Sequence, residues 1–485
     1  MFPLAVLFLL ANPIVAKTLP LRVLDEHGRP VTARLRLRDA EGRFQKIQAM
    51  DPPNPVVAHP RIPELGVLVE RQAKIELLPG RATLLIDRGF EYHTEEIPIE
   101  TAADQNRTVR LRRWVDLARQ GWWSGDLHVH RAPAEMPALL DSADLHFAPA
   151  ITRWNDRSNI DSWEGQKRYA GPRRAWSIDN SEDERPWGAA LFFHLQSPIE
   201  LYNGKLEYPP PTSTWEAARR AGGFIDQEKL IWWAAPVMAA LIRPDSMGVL
   251  NNHFQEVEVM ANEAWGQPRD QAKYPGPRGF ANYVLDLYYT YLSAGFRVAA
   301  SAGSANGVLR SPIGHNRSWV YLGRDFSAEA YLEAQKRGRN FVSNGPVLLA
   351  KFNGRHPGEV FPESTTELTV QVEATSIRPL ERAEVVVDGA VAATIASKGQ
   401  ARVKVQPGSW VAVRCFERDS NTVRFAHTSP VYIGANARRS PESRRFLREW
   451  IDIYIDRVEK LPEAALTAAQ KQEWLAASRR ARDLY

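Results

Sequence analysis

The sequence predicts a mixed α/β protein: a central α/β region flanked on both sides by all-β regions and followed by a helical tail. Three observations carry this expectation. From Trp114 onward, short apolar strands alternate with amphipathic helices over about 230 residues, the pattern of parallel β-α-β units in a barrel or an open sheet. On either side of that stretch, apolar and polar residues alternate with the period of half-buried strands. Beyond Ser440, apolar residues recur at three and four, as on one face of a helix. The chain has 485 residues, enough for about three domains with real cores.

The chain opens on Met1-Phe2-Pro3-Leu4-Ala5-Val6-Leu7-Phe8-Leu9-Leu10-Ala11 and reaches Val15-Ala16 before Lys17. This run is too short to span a bilayer and has the form of a signal-peptide core followed by a small-residue cleavage site. Residues 1–16 are therefore read as a signal peptide and the mature protein as secreted or periplasmic; a buried first strand is the competing reading, because only the terminal amine precedes the run with positive charge. No later segment is apolar enough to be a transmembrane helix.

Residues 17–113 read as a β-sandwich. Val31, Ala33, Leu35 and Leu37 alternate with Thr32, Arg34, Arg36 and Arg38, and Glu26-His27-Gly28-Arg29-Pro30 and Pro79-Gly80 mark turns. Residues 114–346 form the α/β region. A helix is expected from Glu135 to Ala143, a strand from Phe147 to Thr152, a helix from Thr214 to Ala221 stopped by Gly222-Gly223, and strands at Phe224–Glu228 and Met247–Asn251. Phe280, Tyr283, Val284, Leu287, Tyr288, Tyr291 and Leu292 place a helix before Gly295. Strand Phe296–Ala300, helix Ala328–Lys336 and strand Asn340–Ser343 complete the region.

Residues 347–434 return to alternation, with Leu368, Val370 and Val372 on one strand and Asp388-Gly389 at a turn, and read as a second β-sandwich. The tail, 435–485, begins with Ser440-Pro441-Glu442, an N-cap followed by proline at the first helical position. Phe446, Leu447, Trp450, Ile451 and Tyr454 give it a stripe that docks on the body.

Composition narrows the function. A net charge of +5 and a pI near 9.2 are mild for this length, and no Lys/Arg run interleaved with aromatics points to nucleic acid. The single cysteine, Cys415, excludes an internal disulfide and cysteine-based metal sites, so any metal sits on His, Asp and Glu.

Gly125-Asp126-Leu127-His128-Val129-His130 carries the chemistry. Two imidazoles at i and i+2 of an extended segment share a face and reach one cation. Asp226 and Glu228 alternate in the same way. Lys229 faces elsewhere if that strand continues and inward if it bends. Asn251-Asn252-His253 ends a strand, the end at which barrel chemistry collects. His146 and His194 lie in apolar runs and read as satisfied core histidines.

Tryptophans before Gly-Asp-Leu-His-Val-His, the α/β centre and the flanking β regions resemble the PHP (polymerase and histidinol phosphatase) superfamily, in its exported carbaryl-hydrolase-like branch. Gly338-Arg339-Asn340-Phe341-Val342-Ser343-Asn344-Gly345-Pro346 is similar to that domain's closing motif. The resemblance covers Gly121 to Pro346. It implies a distorted (β/α)7 TIM-type barrel that hydrolyses esters or phosphoesters with two or three divalent ions. It also implies a metal-bridging carboxylate at Glu182-Asp183-Glu184 and a substrate-holding cation at Arg317.

Departures reduce that site. Thr152-Arg153-Trp154-Asn155, Asp226-Gln227-Glu228-Lys229 and Gly303-Ser304-Ala305-Asn306-Gly307 stand where the family places ligands, and Arg153 and Lys229 bring fixed cations there. The expectation is a reduced, mononuclear zinc or manganese site on His128, His130, Glu182 and His253. Asp226 or Glu228 serves as base, and Arg153, Lys229 and Arg317 stabilise negative charge on a small-molecule or glycan substrate. The alternative is a barrel without turnover that binds carbohydrate or another envelope ligand through aromatics such as Trp154, Trp163, Trp176, Trp187, Trp232, Trp233 and Trp265.

Overall fold

A computed structural model describes residues 17–51, 55–77, 80–100, 106–158, 168–171, 173–201, 207–323, 325–418 and 422–485. The proposed signal peptide and Trp163 lie outside them. The chain forms two compact units: the described residues of Met1–Arg88 with Tyr92–Arg113, and Gly89–Glu91 with Trp114–Tyr485.

The first unit is all β. Strand Lys17–Leu24 pairs antiparallel with Gln72–Leu77 and parallel with Arg107–Arg110. Thr32–Asp39 pairs antiparallel with Arg81–Asp87, which pairs with Glu95–Glu100. Ala33, Leu35 and Leu37 join Leu19, Leu21, Val23, Ile75, Leu84 and Ile86 in one core, while on the other face Thr32 and Arg34 are buried as well, Arg34 paired with Asp87 at 3.0 Å. Burying that apolar face removes it from water at about 25 cal/mol per Å².

The second unit is mixed α/β. A seven-stranded sheet runs in the order Arg157–Ser158, Arg153–Trp154, Ser181–Arg185, Gly188–Phe193, Phe224–Gln227, Ser246–Leu250 and Ala299–Ala302. Its last three strands are parallel, joined through helix Gly276–Ser293, which the apolar repeat before Gly295 predicts, and through helix Ala235–Ile242, which was not among the expected elements. Ser181–Arg185, Gly188–Phe193 and Phe224–Gln227 are antiparallel, an interruption that strand-helix alternation does not announce.

A second sheet carries Trp122–Gly125 between Phe147–Pro149, to which it is parallel, and Arg317–Tyr321, to which it is antiparallel. It continues through Asn340–Ser343 into Phe425–Thr428 and Trp410–Phe416. The boundary expected at residue 346 thus falls inside one continuous sheet. Backbone bonds also tie the segment after Trp122–Gly125 to both sheets: Asp126 N donates to Phe147 O (3.1 Å) and Leu127 N to Ala302 O (3.1 Å), while His130 N donates to Asn306 O (2.8 Å) in the loop that follows Ala299–Ala302.

The tail docks through two helices, Pro441–Glu459 and Ala468–Leu484. Ser440 Oγ accepts from Ser443 N at the first of them, as its sequence foretells. Leu447, Trp450, Ile451 and Tyr454 enter the main core, whereas Phe446 stays 37% exposed.

Candidate metal centre

Extended backbone at Val129, bridged on one side to Ala150 and on the other to Asn306, puts His128 and His130 on one face. Their Nε2 atoms lie 3.0 Å apart. Glu182, from the antiparallel strand Ser181–Arg185, meets both: Oε1 is 3.3 Å from His128 Nε2 and Oε2 is 2.9 Å from His130 Nε2. One ligand atom from each of the three residues falls within 4.8 Å of the other two. The side chains are 2%, 7% and 1% exposed, so water does not screen them.

Glu228 approaches from the other side, Oε1 standing 3.5 Å from His128 Nδ1. The strand ends at Gln227, and Lys229 consequently turns inward. Its ammonium pairs with Glu228 Oε2, donates to Asn252 Oδ1 (2.8 Å) and lies over the Trp232 ring. The sequence fits this packing at Gly303, where a Cβ would come within 2.4 Å of His128 Cβ.

Charge is balanced inside the cluster. Burial works to lower the His128 pKa, but Glu182 and Glu228 outweigh it and raise it to about 10. Burial works to raise the two carboxylates, yet His128 and His130 hold Glu182 well below its usual range, and Lys229 and His128 bring Glu228 down to about 2. His130 is lowered by burial despite Glu182 and stays neutral. Glu184, two residues beyond Glu182, is pushed up to about 7 by burial and by Glu182; the acidic triplet drew attention to it without giving it a role.

The other expected residues fall elsewhere. Asp226 accepts from Ser246 Oγ (2.6 Å) and Ser301 Oγ (2.5 Å), and burial pushes it up to about 6. His253 is not brought to the cluster: its Nδ1 lies 3.0 Å from Met260 O, and its ring stacks on Phe280. Burial and the nearby Lys229 lower it to about 4. Arg153 donates to Ile199 O (2.8 Å), because strand alternation gives the inner face to its neighbour Trp154, whose ring packs 4.9 Å from that of His130. Arg317 is fully buried and donates to Gly314 O (2.6 Å) and Ala143 O (2.5 Å), a brace between loops. Of the tryptophans, Trp187, Trp232 and Trp233 are core residues, Trp176 and Trp154 are half-buried, and Trp265 is 46% exposed.

Sequence reasoning gave Asp126 no role of its own, and offered Trp154 as a ligand-stacking ring rather than as a neighbour of His130. Buried Asp126 accepts from His128 N (3.1 Å), Ser304 N (2.9 Å) and Gly314 N (2.7 Å), so it fixes the backbone beneath the histidine pair. Its place two residues before His128 was the available signal.

The donor set fits a divalent ion. Glu182 Oε2 lies 2.9 Å from His130 Nε2 without the geometry of a hydrogen bond and has no hydrogen-bond partner among the described residues. Buried polar atoms left unpaired in this way cost about 1–3 kcal/mol each, and two imidazoles with one carboxylate are a three-ligand set that leaves a position open. No protein-family model, curated protein or solved structure matches this chain.

Proposed function

We propose that this protein is an exported hydrolase of ester or phosphoester bonds that uses one divalent ion, zinc or manganese, held by His128, His130 and Glu182. The convergence of two imidazole nitrogens on one buried carboxylate carries the reading. A distorted barrel of the PHP type is proposed as the scaffold, supported by the backbone bonds from Asp126 to Phe147 and from Leu127 to Ala302, which link the two sheets. Export is proposed on the apolar run that precedes Lys17.

A divalent ion in such a set supplies Lewis acidity and lowers the pKa of water towards neutrality. Glu228 faces His128 Nδ1 and so orients the ring for binding through Nε2, as carboxylates behind ligating histidines do. Its own charge is held by Lys229, which also puts a fixed positive charge beside the place where negative charge develops on the substrate. His130, neutral as it stands, donates a lone pair with no proton to lose. The Trp154 ring packs 4.9 Å from that of His130.

The test is metal content. Protein reconstituted with zinc or manganese and passed through a desalting column is expected to retain one equivalent by mass spectrometry. Less than a tenth of an equivalent refutes the proposal.

A further inference from the structure

The strand Ala299–Ala302 meets the histidine segment at its far end, where Ala302 O accepts from Leu127 N (3.1 Å). Its near end opens on a different site, a cavity of about 440 Å³ lined by Arg297, Lys336, Arg337, Arg339, Glu359 and Tyr432 among others. That volume is within the range of small-molecule sites, about 300–1,000 Å³. Four cations in the lining face one carboxylate.

Carboxylates around the cavity do not restore the balance. Glu359 is shared between Arg339 (2.8 Å) and Arg355 (3.8 Å), and Asp245, just outside, is shared between Arg219 (2.8 Å) and Lys336 (3.0 Å). Only Arg337 has an acid to itself, Glu333 at 2.8 Å. Arg297 pairs with no carboxylate among the described residues. Its guanidinium lies 4.8 Å from the centre of the Tyr432 ring, and its Nη2 donates to Gly434 O (2.5 Å). These contacts hold the group in place and leave its charge uncompensated, with further N–H donors to offer.

Part of the charge has a local cause, since Lys336 and Arg337 stand at the C-terminal end of helix Ala328–Lys336, where cations complement the helix dipole. Arg297 and Arg339 lie outside that helix, in the loops before strands Ala299–Ala302 and Asn340–Ser343. Like charges gathered on one concave surface focus a positive potential, which an anion relieves.

We infer that this cavity binds a compact multivalent anion of the di- or triphosphate class. Cations that approach from three elements suit the tetrahedral oxygens of phosphoryl groups better than the flat edge of a carboxylate, and an excess of several positive charges calls for a ligand with more than one negative charge. The cavity shares no residue with the candidate metal centre, and the inference does not rest on the proposed hydrolase.

Calorimetric titration of the full chain, stripped of metal and desalted, with pyrophosphate, tripolyphosphate and citrate tests the inference. Pyrophosphate is expected to bind about tenfold tighter than citrate, which carries a similar charge, and Arg297→Gln and Lys336→Gln are each expected to weaken it about five- to tenfold. Both side chains are exposed, so circular dichroism is expected to be unaltered. Arg402→Gln removes an exposed charge from strand Lys398–Lys404 and is expected to change affinity less than about twofold. Affinity is expected to fall as salt rises from about 50 to 500 mM. The inference is overturned if neither phosphate binds more tightly than about 1 mM, or if Arg297→Gln and Lys336→Gln both bind as the wild type does. It is overturned equally if Arg402→Gln weakens binding as much as they do, which marks diffuse attraction to a basic surface, or if citrate binds as well as pyrophosphate.

Discussion

Buried histidines at three places in the second unit make opposite use of the same side chain, the metal centre on one hand and His427 and His146 on the other. At the candidate metal centre, His128 stands between two carboxylates and is raised to about 10. In the C-terminal sheet, His427 is capped by Tyr289 Oη at 2.9 Å, with Arg414 bound to Glu384 (2.6 Å) nearby. Burial and Arg414 push His427 down to about 3. His146, 3.0 Å from Ser124 Oγ, is driven down to about 3 by burial as well. Burial and polarity are common to all three sites. What distinguishes the first is convergence of three ligand atoms within 4.8 Å of one another, the arrangement on which the proposed metal site rests.

The comparison breaks most visibly if ligands are removed. His128→Ala or Glu182→Ala is expected to weaken zinc binding by about 100-fold or more, and His427→Gln to leave it unchanged, as competition with a chromophoric chelator measures. Proton linkage comes next. Because His128 must lose its proton to bind, affinity is expected to rise about tenfold per pH unit from pH 7 towards 10, with about one proton released per ion. Calorimetry in buffers of different ionisation enthalpy counts that proton, and a count of zero excludes His128 as a ligand. Glu228→Gln, which removes the group behind His128, is expected to cost about 10- to 100-fold in metal affinity.

The same pair of sites has opposite signs in stability. In metal-free protein, the His128 contribution is complete below pH ~6.5, its unfolded value, and is lost as pH rises through about 10. Glu228 acts at the other end, its contribution being present above ~4.5 and lost as pH falls through about 2. His427 and His146 oppose folding as pH drops from ~6.5 to about 3, because only the unfolded chain takes up the proton. Each unmatched proton changes stability by about 1.4 kcal/mol per pH unit. Urea titrations are therefore expected to show His427→Gln flattening the acid limb and His128→Gln the alkaline limb; the reverse assignment contradicts the comparison. The smallest effect is expected from Tyr289→Phe, about 1–3 kcal/mol of stability with unchanged metal affinity.

Much of the centre was legible because its logic is local. His128 and His130 share a face by the period of an extended segment, whereas Asp226 and Glu228 are parted where their strand ends at Gln227, Asp226 going to Ser246 and Ser301. The helix before Gly295, the helix Ala328–Lys336 and the Ser440 cap were equally readable, since their signals lie within a turn or two. What failed was non-local. Nothing near Arg153 in sequence reveals that Trp154 takes the inner face, and nothing near Lys229 reveals a strand that ends at Gln227. Arg317 was matched by position but is spent on two carbonyls. His253 ends its strand as expected, yet the loop that follows supplies Met260 O to its ring. Glu182 came from a resemblance, and the antiparallel pair Ser181–Arg185 and Gly188–Phe193 is what delivers it.

The sheet that runs through Asn340–Ser343 into Phe425–Thr428 has a consequence for anyone who would divide the molecule. A chain cut after residue 346 leaves Asn340–Ser343 as a naked edge, with backbone donors and acceptors facing solvent along a row of buried side chains, and such an edge recruits other copies. The truncated protein is expected to aggregate, and the intact one to lose both halves of the sheet in one cooperative transition.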